Sequence, residues 1–314
     1  MKIISADDVD EALDFPALTD ALADAFKGGV HAPPRHHHTI ANAAGADQTL
    51  LLMPAWNDRH MAVKLATVTP DNGGRGLPAV MASVILMDKA TGEPVALIDG
   101  ARLTLWRTAA ASALAARHLA PPEPDTLLMV GAGALAPFLV RAHLSVRPYR
   151  HILAWNRNVE GAERLAQSLR DEGHDAQAVA AESLDAVVSQ ADVISCATLS
   201  TEPLIKGAQL KPGTHIDLVG AFTPHMRESD DDCVQRATLF VDTYAGALHE
   251  GGDLVQPISA GLIERSHVRA ELMELVNGDH PGRAATDEIT LFKSTGASLE
   301  DLAAASLIAE RCGI

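Results

Sequence analysis

The sequence is short of aromatic residues, lysine and cysteine. Aromatic residues make up 4% of its 314 positions, and the chain has seven lysines and three cysteines. Cys196, Cys233 and Cys312 lie far apart and form no C-x-x-C pair, which argues against the disulfide framework of a secreted domain. The spacing favours reduced thiols that serve in packing, so we expect a cytoplasmic protein.

Net positive charge is also missing. The formal net charge is −16 at pH 7 and the pI is about 5.2, so the molecule repels polyanions. This argues against nucleic acids and anionic membranes as partners. A phosphate-bearing ligand must instead find local cations or the N-terminus of a helix.

Long apolar runs are absent as well. Arg107 and Arg117 interrupt the longest Ala-rich segment, so no stretch approaches the ~20 apolar residues that cross a bilayer. The segment from Met1 to Asp8 carries acids where a signal peptide has a basic region followed by an apolar run. We therefore expect neither a membrane span nor export.

Aliphatic residues are abundant, and a hydrophobic content of 47% in 314 residues is enough for two cores. In the first part of the chain, apolar spacing predicts a helix over 8–28, and an Ala-rich helix over 104–120 ends before the breaker run Pro121–Pro124. Between these helices, short runs separated by turn residues predict an antiparallel sheet. Its predicted strands are 49–53, 61–69, 79–87 and 94–98.

Beyond residue 124, strands alternate with helices, which predicts an α/β fold with a parallel sheet and right-handed crossovers. The predicted strands are 126–130, 151–155, 192–197, 215–219 and 238–241, and the helices are 134–146 and 159–171. Near the end, Ser298 to Asp301 has the pattern of a capping box, which predicts a final helix over 299–311.

A glycine motif directly follows the first strand of this alternation. Gly131, Gly133 and Ala136 form a G-x-G-x-x-A pattern between an apolar strand and a helix. Gly131 permits a tight turn, Gly133 lets the backbone approach a pyrophosphate, and Ala136 allows close packing of helix on strand. An ordinary glycine loop is the alternative, but the flanking strands and helix favour a Rossmann-type dinucleotide site with phosphates at the helix N-terminus.

The tip of the second strand bears on the choice of cofactor. NAD-specific sites usually place an acid there, whereas this chain has Trp155, Asn156, Arg157 and Asn158. Arg157 suits a 2′-phosphate, with Asn156 as a second donor, although an arginine there is also compatible with a solvated surface charge. We predict NADPH as the cofactor, with NADH also accepted.

Three cations stand in apolar surroundings before the glycine motif. Arg35 follows two prolines, Lys64 interrupts an apolar strand, and Arg107 enters the Ala-rich helix. Together they predict a trap for a carboxylate, which guanidinium binds through two parallel hydrogen bonds. For Lys64, a side chain that snorkels outward from the strand is an equally good alternative.

The histidine run His36–His38 predicts no metal site. Consecutive residues of an extended chain point to opposite faces, and no distant pattern of acids or cysteines completes a ligand set.

Short motifs spread over nearly the whole chain match one known family in their order. The matching stretches are Pro33–Arg35, Val63–Lys64, Ile98–Gly100, Leu103–Ala110, Val130–Gly133, Trp155–Arg157, Val219–Glu228 and Phe292–Gly296. On these motifs the sequence resembles the ornithine cyclodeaminase/mu-crystallin family.

The resemblance implies an NAD(P)-dependent homodimer of two-domain chains. A Rossmann domain over 121–296, with a doubly wound parallel sheet, would be inserted into an α+β domain for substrate binding and dimerisation, formed by 1–120 and 297–314. Arg35, Lys64 and Arg107 match the family's substrate-binding residues. The positions that match its dinucleotide contacts are Thr108, Ala134, Leu135, Arg157, Thr198 and Val219.

One departure from the family separates the activities that the resemblance implies. Cyclodeaminases carry a catalytic aspartate where this chain has Phe222, and Asp217 lies five residues earlier on the predicted strand. Reduction of a preformed cyclic imine does not need that acid. The resemblance therefore implies reduction of 1-pyrroline-2-carboxylate to L-proline, or of 1-piperideine-2-carboxylate to L-pipecolate.

In this interpretation, Arg35 and Arg107 bind the carboxylate, and Lys64, its pKa lowered by burial and by these two cations, donates a proton to the imine. Three alternatives stay open: ornithine cyclodeaminase, an alanine or N-alkylamino acid dehydrogenase, and a non-catalytic NADPH-binding protein like mu-crystallin.

Overall fold

Helices and strands alternate along residues 1–43 and 45–314, the parts of the chain that the computed structural model describes. The strands are β1 (Lys2–Ile4), β2 (His36–Ile40), β3 (Gln48–Trp56), β4 (His60–Val68), β5 (Val80–Asp88), β6 (Pro94–Asp99), β7 (Thr126–Val130), β8 (His151–Trp155), β9 (Ala176–Val179), β10 (Val193–Cys196), β11 (His215–Leu218), β12 (Thr238–Val241), β13 (Val268–Glu271) and β14 (Thr290–Lys293). The helices are α1 (Ala6–Ala12), α2 (Phe15–Lys27), α3 (Gly100–Leu119), α4 (Ala136–Val146), α5 (Val159–Asp171), α6 (Leu184–Val188), α7 (Asp231–Arg236), α8 (Tyr244–Glu250), α9 (Gly252–Ser259), α10 (Leu272–Asn277) and α11 (Ser298–Arg311).

The chain divides into two compact units. Unit 1 comprises Met1–Arg107 and Ala297–Ile314, and unit 2 comprises Thr108–Gly296. The first division falls inside α3 and the second between β14 and α11, and the boundaries predicted from the sequence are at residues 120 and 296.

Unit 1 is built on a sheet with strand order β1-β6-β5-β4-β3-β2. Strands β2 to β6 are antiparallel to their neighbours, and β1 joins β6 in parallel. The four strands predicted in this region are therefore confirmed. Helix α11 packs on α2 and on β3, β4 and β5. The small buried side chains of Ala62 and Ala66 on β4 flank Lys64 on the covered face of the sheet.

The single helix predicted over 8–28 is wrong, because two helices occupy this segment. Leu13 is extended, and Asp14 caps α2 by accepting a hydrogen bond from the backbone N–H of Ala17 at 2.9 Å. Pro16 follows in the first turn, where its missing N–H costs nothing. Apolar spacing alone hides this boundary because both helices bury the same kind of residue.

The capping box predicted at Ser298 is also wrong. Helix α11 begins at Ser298 itself, and its N-cap, Ala297, makes no side-chain hydrogen bond. Glu300 and Asp301 in the first turn are buried and pair with cations on other elements of unit 1. Tertiary ion pairing thus replaces the local cap.

Unit 2 contains a parallel sheet with strand order β13-β12-β14-β11-β10-β7-β8-β9. Strand β7 lies between β8 and β10, so the chain builds the sheet outward from β7 in both directions. This is the doubly wound α/β arrangement that the sequence predicts, and the five predicted strands are all present. Sequence patterns missed the two edge strands, β9 and β13, and also β14.

Within the described residues, no helix combines the length and the apolar character that crossing a lipid bilayer requires.

Candidate functional site

The glycine loop after β7 is shaped by close contacts that exclude side chains. Gly131 has φ +106°, and its N–H donates to the carbonyl of Trp155 at 2.8 Å. A Cβ at Gly131 would lie 2.6 Å from the carbonyl oxygen of Ala197 and 3.2 Å from a side-chain carbon of Thr198. Only glycine fits this turn, as the motif predicts.

Two positions further on, the loop opens. A Cβ at Gly133 would have no atom within 4 Å, so the space above this residue is clear for a ligand. Helix α4 begins at Ala136, which is fully buried, and its N-cap, Leu135, makes no side-chain hydrogen bond to the first turn. A helix N-terminus without a side-chain cap beside an open glycine loop suits an anionic group such as a pyrophosphate.

A cleft of about 180 Å³ lies at the carboxyl ends of β7, β8 and β10. Because β7 is the strand from which the sheet grows in both directions, the cleft occupies the switch point at which open α/β sheets bind ligands. Its lining comprises Gly131, Ala132, Gly133, Trp155, Asn156, Arg157, Ala197, Thr198, Leu199 and Leu204.

The cofactor residues predicted from the sequence fall into three groups within unit 2. Gly131, Gly133, Asn156, Arg157 and Thr198 line the cleft, and Leu135 and Ala136 form the start of α4. The others lie outside the lining: Ala134 is exposed in the glycine loop, Val219 directly follows β11, and Thr108 is buried in α3.

The tip of β8 is held by its own hydrogen bonds. The side-chain amide of Asn156 donates to the carbonyl of Asn158 at 2.9 Å, and the Asn158 side chain caps α5 by accepting from the N–H of Glu160. Asn156 thus stabilises the turn that carries Arg157. The Arg157 side chain is exposed at the cleft.

Lys64 of unit 1 is buried, so the alternative of an outward-snorkelling side chain does not hold. Lys64 is 3% exposed, and its Nζ donates to Asp301 Oδ1 at 2.9 Å and to Thr104 Oγ1 at 3.5 Å. Burial lowers the pKa of Lys64 to about 8, helped by the positive charges of Arg107 and Arg35 and opposed by Asp301. An ammonium group with this pKa can exchange its proton near neutral pH.

Arg107 shares the same acidic partners. Its Nη1 donates to Glu300 Oε2 at 2.6 Å, and its Nε lies 3.1 Å from Asp301 Oδ1. Arg35, half-buried just before β2, contributes its charge to the same cluster. The structure therefore brings Lys64 and Arg107 together on two carboxylates, and Arg35 is near enough for its charge to act on Lys64. We refer to Arg35, Lys64, Arg107, Glu300 and Asp301 as the unit 1 charge cluster.

Sequence reasoning missed Glu300 and Asp301 as members of this cluster because it interpreted them as a helix cap. A usable signal was present. The two acids begin a segment rich in Ala and Leu whose composition predicts a buried helix. Because acids are rarely buried without a charged partner, such a position predicts an ion pair.

Asp217 is committed to the interior of unit 2. Its carboxylate accepts hydrogen bonds from Ser112 at 2.9 Å and Ser195 at 2.7 Å, and His143 Nε2 lies at 3.1 Å. Burial raises the pKa of Asp217, but the interactions with His143 and Ser195 outweigh burial and hold this pKa below its usual value. Phe222 is half-buried in the loop after β11. As predicted from the sequence, Asp217 therefore does not replace the acid that is missing at residue 222.

The histidine run His36–His38 forms the exposed edge strand β2. Among the described residues, no group of three or more histidine, cysteine, aspartate or glutamate side chains is arranged to hold a metal ion.

The model of the ornithine cyclodeaminase/mu-crystallin family matches residues 2–313. The chain belongs to this family.

Several relatives with named activities match along nearly their whole length. A Delta(1)-pyrroline-2-carboxylate reductase of Colwellia psychrerythraea is 34% identical, over 99% of this chain and 99% of its own. The ketimine reductase mu-crystallin of Rattus norvegicus is 36% identical, over 97% and 95%. Among solved structures, Thermococcus litoralis Delta(1)-pyrroline-2-carboxylate reductase in complex with NADH and L-proline matches with a TM-score of 0.93 and 32% identity, over 99% of this chain and 97% of that chain.

Replacing Gly133 with valine should abolish binding of NADPH and NADH, because a branched side chain would fill the open space above the loop. Isothermal titration calorimetry measures this directly. Gly74→Val is the matched control, since a Cβ there also meets nothing within 4 Å but lies in unit 1, outside the cleft. Wild-type affinity in Gly133→Val would show that the dinucleotide binds elsewhere.

Proposed function

We propose that this protein reduces a small cyclic imino acid with NADPH, first of all 1-pyrroline-2-carboxylate to L-proline. The six-membered 1-piperideine-2-carboxylate, which gives L-pipecolate, is the second substrate. The observation that carries the proposal is the unit 1 charge cluster, in which Lys64 on the covered face of the sheet and Arg107 on α3 are both buried and share Asp301 as a partner. The activity named for the Colwellia psychrerythraea relative and the L-proline in the Thermococcus litoralis complex support this substrate class.

The substrate chemistry matches the groups in the cluster. Arg35 and Arg107 bind the carboxylate of the imino acid, and Lys64 holds a proton for the imine nitrogen. Asp301, 2.9 Å from Lys64 Nζ, favours the charged ammonium that this role needs. Reduction adds a hydride to the imine carbon and a proton to the nitrogen, so a lysine that is protonated at neutral pH is sufficient as the acid.

The cofactor is assigned to the cleft of unit 2. The Gly131 to Gly133 loop and the N-terminus of α4 hold the pyrophosphate, and Arg157 pairs with the 2′-phosphate. The clear space above Gly133 and the uncapped first turn of α4 fit such a group. When bound, the reduced nicotinamide supplies the hydride for the C=N bond.

Phe222 favours reduction over cyclodeamination. Its side chain cannot ionise, and the nearby Asp217 is held by Ser112, Ser195 and His143 in the interior of unit 2. A deamination that begins by removing a proton from an amine therefore has no carboxylate at this position to act as the base.

A second copy of the chain is proposed as the partner, through the uncovered face of the unit 1 sheet. Leu65 on β4 and Met81 on β5 point to this face and are 36% and 40% exposed, as expected of apolar side chains that a second copy covers. Sedimentation velocity gives the mass, and a monomer at micromolar concentration would contradict this assignment.

The proposed activity predicts NADPH oxidation with 1-pyrroline-2-carboxylate and, more slowly, with 1-piperideine-2-carboxylate. Absorbance at the nicotinamide band measures it across a panel of imino and amino acids, and chromatography confirms proline as product. L-ornithine with catalytic NAD is the discriminating arm. Robust ammonia release from ornithine without net NADPH oxidation would overturn the assignment in favour of a cyclodeaminase.

The pH dependence should report on Lys64. Because the protonated lysine is the active form, kcat/KM for the imino acid should fall as pH rises through about 8. Asp301→Asn removes the charge that raises this pKa, so the fall should move to lower pH, and Lys64→Met should remove it while lowering kcat roughly a hundredfold. Asp58→Asn, which breaks an exposed ion pair with Lys89, is the control and should leave the profile unchanged. An unshifted profile in Asp301→Asn would contradict the role of Lys64.

The cofactor preference should depend on Arg157. Arg157→Ala removes the partner of the 2′-phosphate, so KM for NADPH should rise about tenfold or more while KM for NADH changes little. Arg164→Ala, an exposed arginine on α5 outside the cleft lining, serves as the matched control in steady-state kinetics. Equal losses with both cofactors would refute the preference for NADPH.

A further inference from the structure

Glu228 is a fully buried carboxylate that bridges two loops of unit 2. Its Oε1 accepts hydrogen bonds from the backbone N–H of Thr198 at 2.6 Å and from the Thr198 hydroxyl at 2.8 Å. Its Oε2 accepts from the backbone N–H groups of Gly220 at 2.7 Å and Ala221 at 3.2 Å. One side chain thus satisfies four donors from two separate segments.

These segments directly follow adjacent strands of the parallel sheet. Thr198 comes after β10 and Gly220 after β11, and the two strands pair with each other. Thr198 also lines the cleft at the switch point. The carboxylate of Glu228 therefore connects a wall of the cleft to the neighbouring loop, at the edge of the sheet where open α/β folds bind their ligands.

The two loops lie too close together for any side chain at residue 220. A Cβ on Gly220 would collide with the backbone of Thr198 and would lie 2.6 Å from Glu228 Oε1. With backbone against backbone, small movements of one loop are transmitted to the other. The position of Thr198 in the cleft is consequently set by the same contacts that hold Gly220.

The backbone of Glu228 is in turn fixed by the buried ion pair of Asp253 with Lys293. Asp253 Oδ1 accepts from the backbone N–H groups of Glu228 at 2.8 Å and Ser229 at 2.9 Å, and Asp253 Oδ2 lies 3.0 Å from Lys293 Nζ. Burial raises the pKa of Glu228, whereas the charge of Lys293 and the hydrogen bonds from Thr198 oppose that rise. A carboxylate that accepts four N–H and O–H donors is best satisfied in its charged form, because protonation would set an O–H against a donor.

We propose that Glu228 is a positioning residue for the cofactor: it fixes the loops after β10 and β11 so that the Thr198 wall of the cleft is preformed for the dinucleotide. This inference rests on the proposed placement of the cofactor in that cleft. Glu228 itself acts through Thr198 and Gly220 and contacts no substrate.

The test is Glu228→Gln, which keeps the size of the side chain. One oxygen of the carboxylate becomes an NH₂ group that faces donors, so at least one loop loses its acceptor. The dissociation constants of NADPH and NADH, measured by nucleotide fluorescence, should rise about tenfold or more. In steady-state kinetics, KM for the cofactor should rise, and kcat should recover at saturating cofactor.

Asp217→Asn is the matched control. Asp217 is an equally buried carboxylate of unit 2 that accepts from side chains, and none of those partners lines the cleft. It should lower Tm at least as much as Glu228→Gln while changing cofactor affinity less than twofold. Wild-type affinity in Glu228→Gln, or an equal loss of affinity in Asp217→Asn, would overturn the proposal.

Two further variants keep the experiment decisive. Glu228→Asp retains the charge but is too short to reach both loops, so it should bind cofactor several-fold more weakly even if Glu228→Gln does not fold. Wild-type affinity in Glu228→Asp would also contradict the proposal.

Gly133→Val distinguishes failure of the proposed cofactor site from failure of the proposed role of Glu228. If it still binds cofactor, the placement of the cofactor in the cleft fails, whereas loss of binding there with unchanged Glu228 variants refutes the positioning role alone.

Discussion

A buried charge needs a partner, and this constraint explains much of the architecture of unit 1. Lys64 on a central strand and Arg107 on α3 are withdrawn from water, at a cost that only nearby carboxylates can offset. Those carboxylates, Glu300 and Asp301, stand on α11 at the far end of the chain. Helix α11 must therefore pack on the sheet in one orientation, with its first turn against the two cations. The same pairing keeps Lys64 charged where water is scarce.

Unit 2 applies the same physics with carboxylates as the organising groups. Asp217 gathers side chains from α3, α4 and β10, while Glu228 and Asp253 gather backbone N–H groups from loops. Asp242 likewise accepts from Thr295 and Gly296 at 2.6 and 2.7 Å. Part of the acidic composition of the chain therefore lies in the interior of unit 2. Several acids are structural, and the loops at the carboxyl edge of the sheet depend on them.

The sequence predicted those parts of the fold that have strong local patterns. Strands β3 to β6 of unit 1, five of the eight strands of the parallel sheet and the glycine loop after β7 have such patterns, and they were found. The split between α1 and α2 was missed because apolar spacing continues across Leu13. Strands β9 and β13 were missed because a polar residue, Gln177 or Arg269, interrupts each short apolar run. The cations of the charge cluster were recognised as unusual charges in apolar runs. Their partners Glu300 and Asp301 were not, because a local capping pattern competes there with a tertiary ion pair that local sequence does not reveal.

The separation of Arg107 from Glu300 along the chain has a consequence for how unit 1 is completed. The two residues pair across 193 positions, and closing so long a loop in a disordered chain has a large entropic cost. Unit 2 is contiguous, and within it Thr290 of β14 donates to the carbonyl of Leu119 at the end of α3 at 2.9 Å. Once unit 2 is folded, its first helix and its last strand are already neighbours. The chain that must still be closed between Arg107 and Glu300 is then effectively much shorter than 193 residues. Contacts inside unit 2 therefore lower the entropic cost of joining the two segments of unit 1.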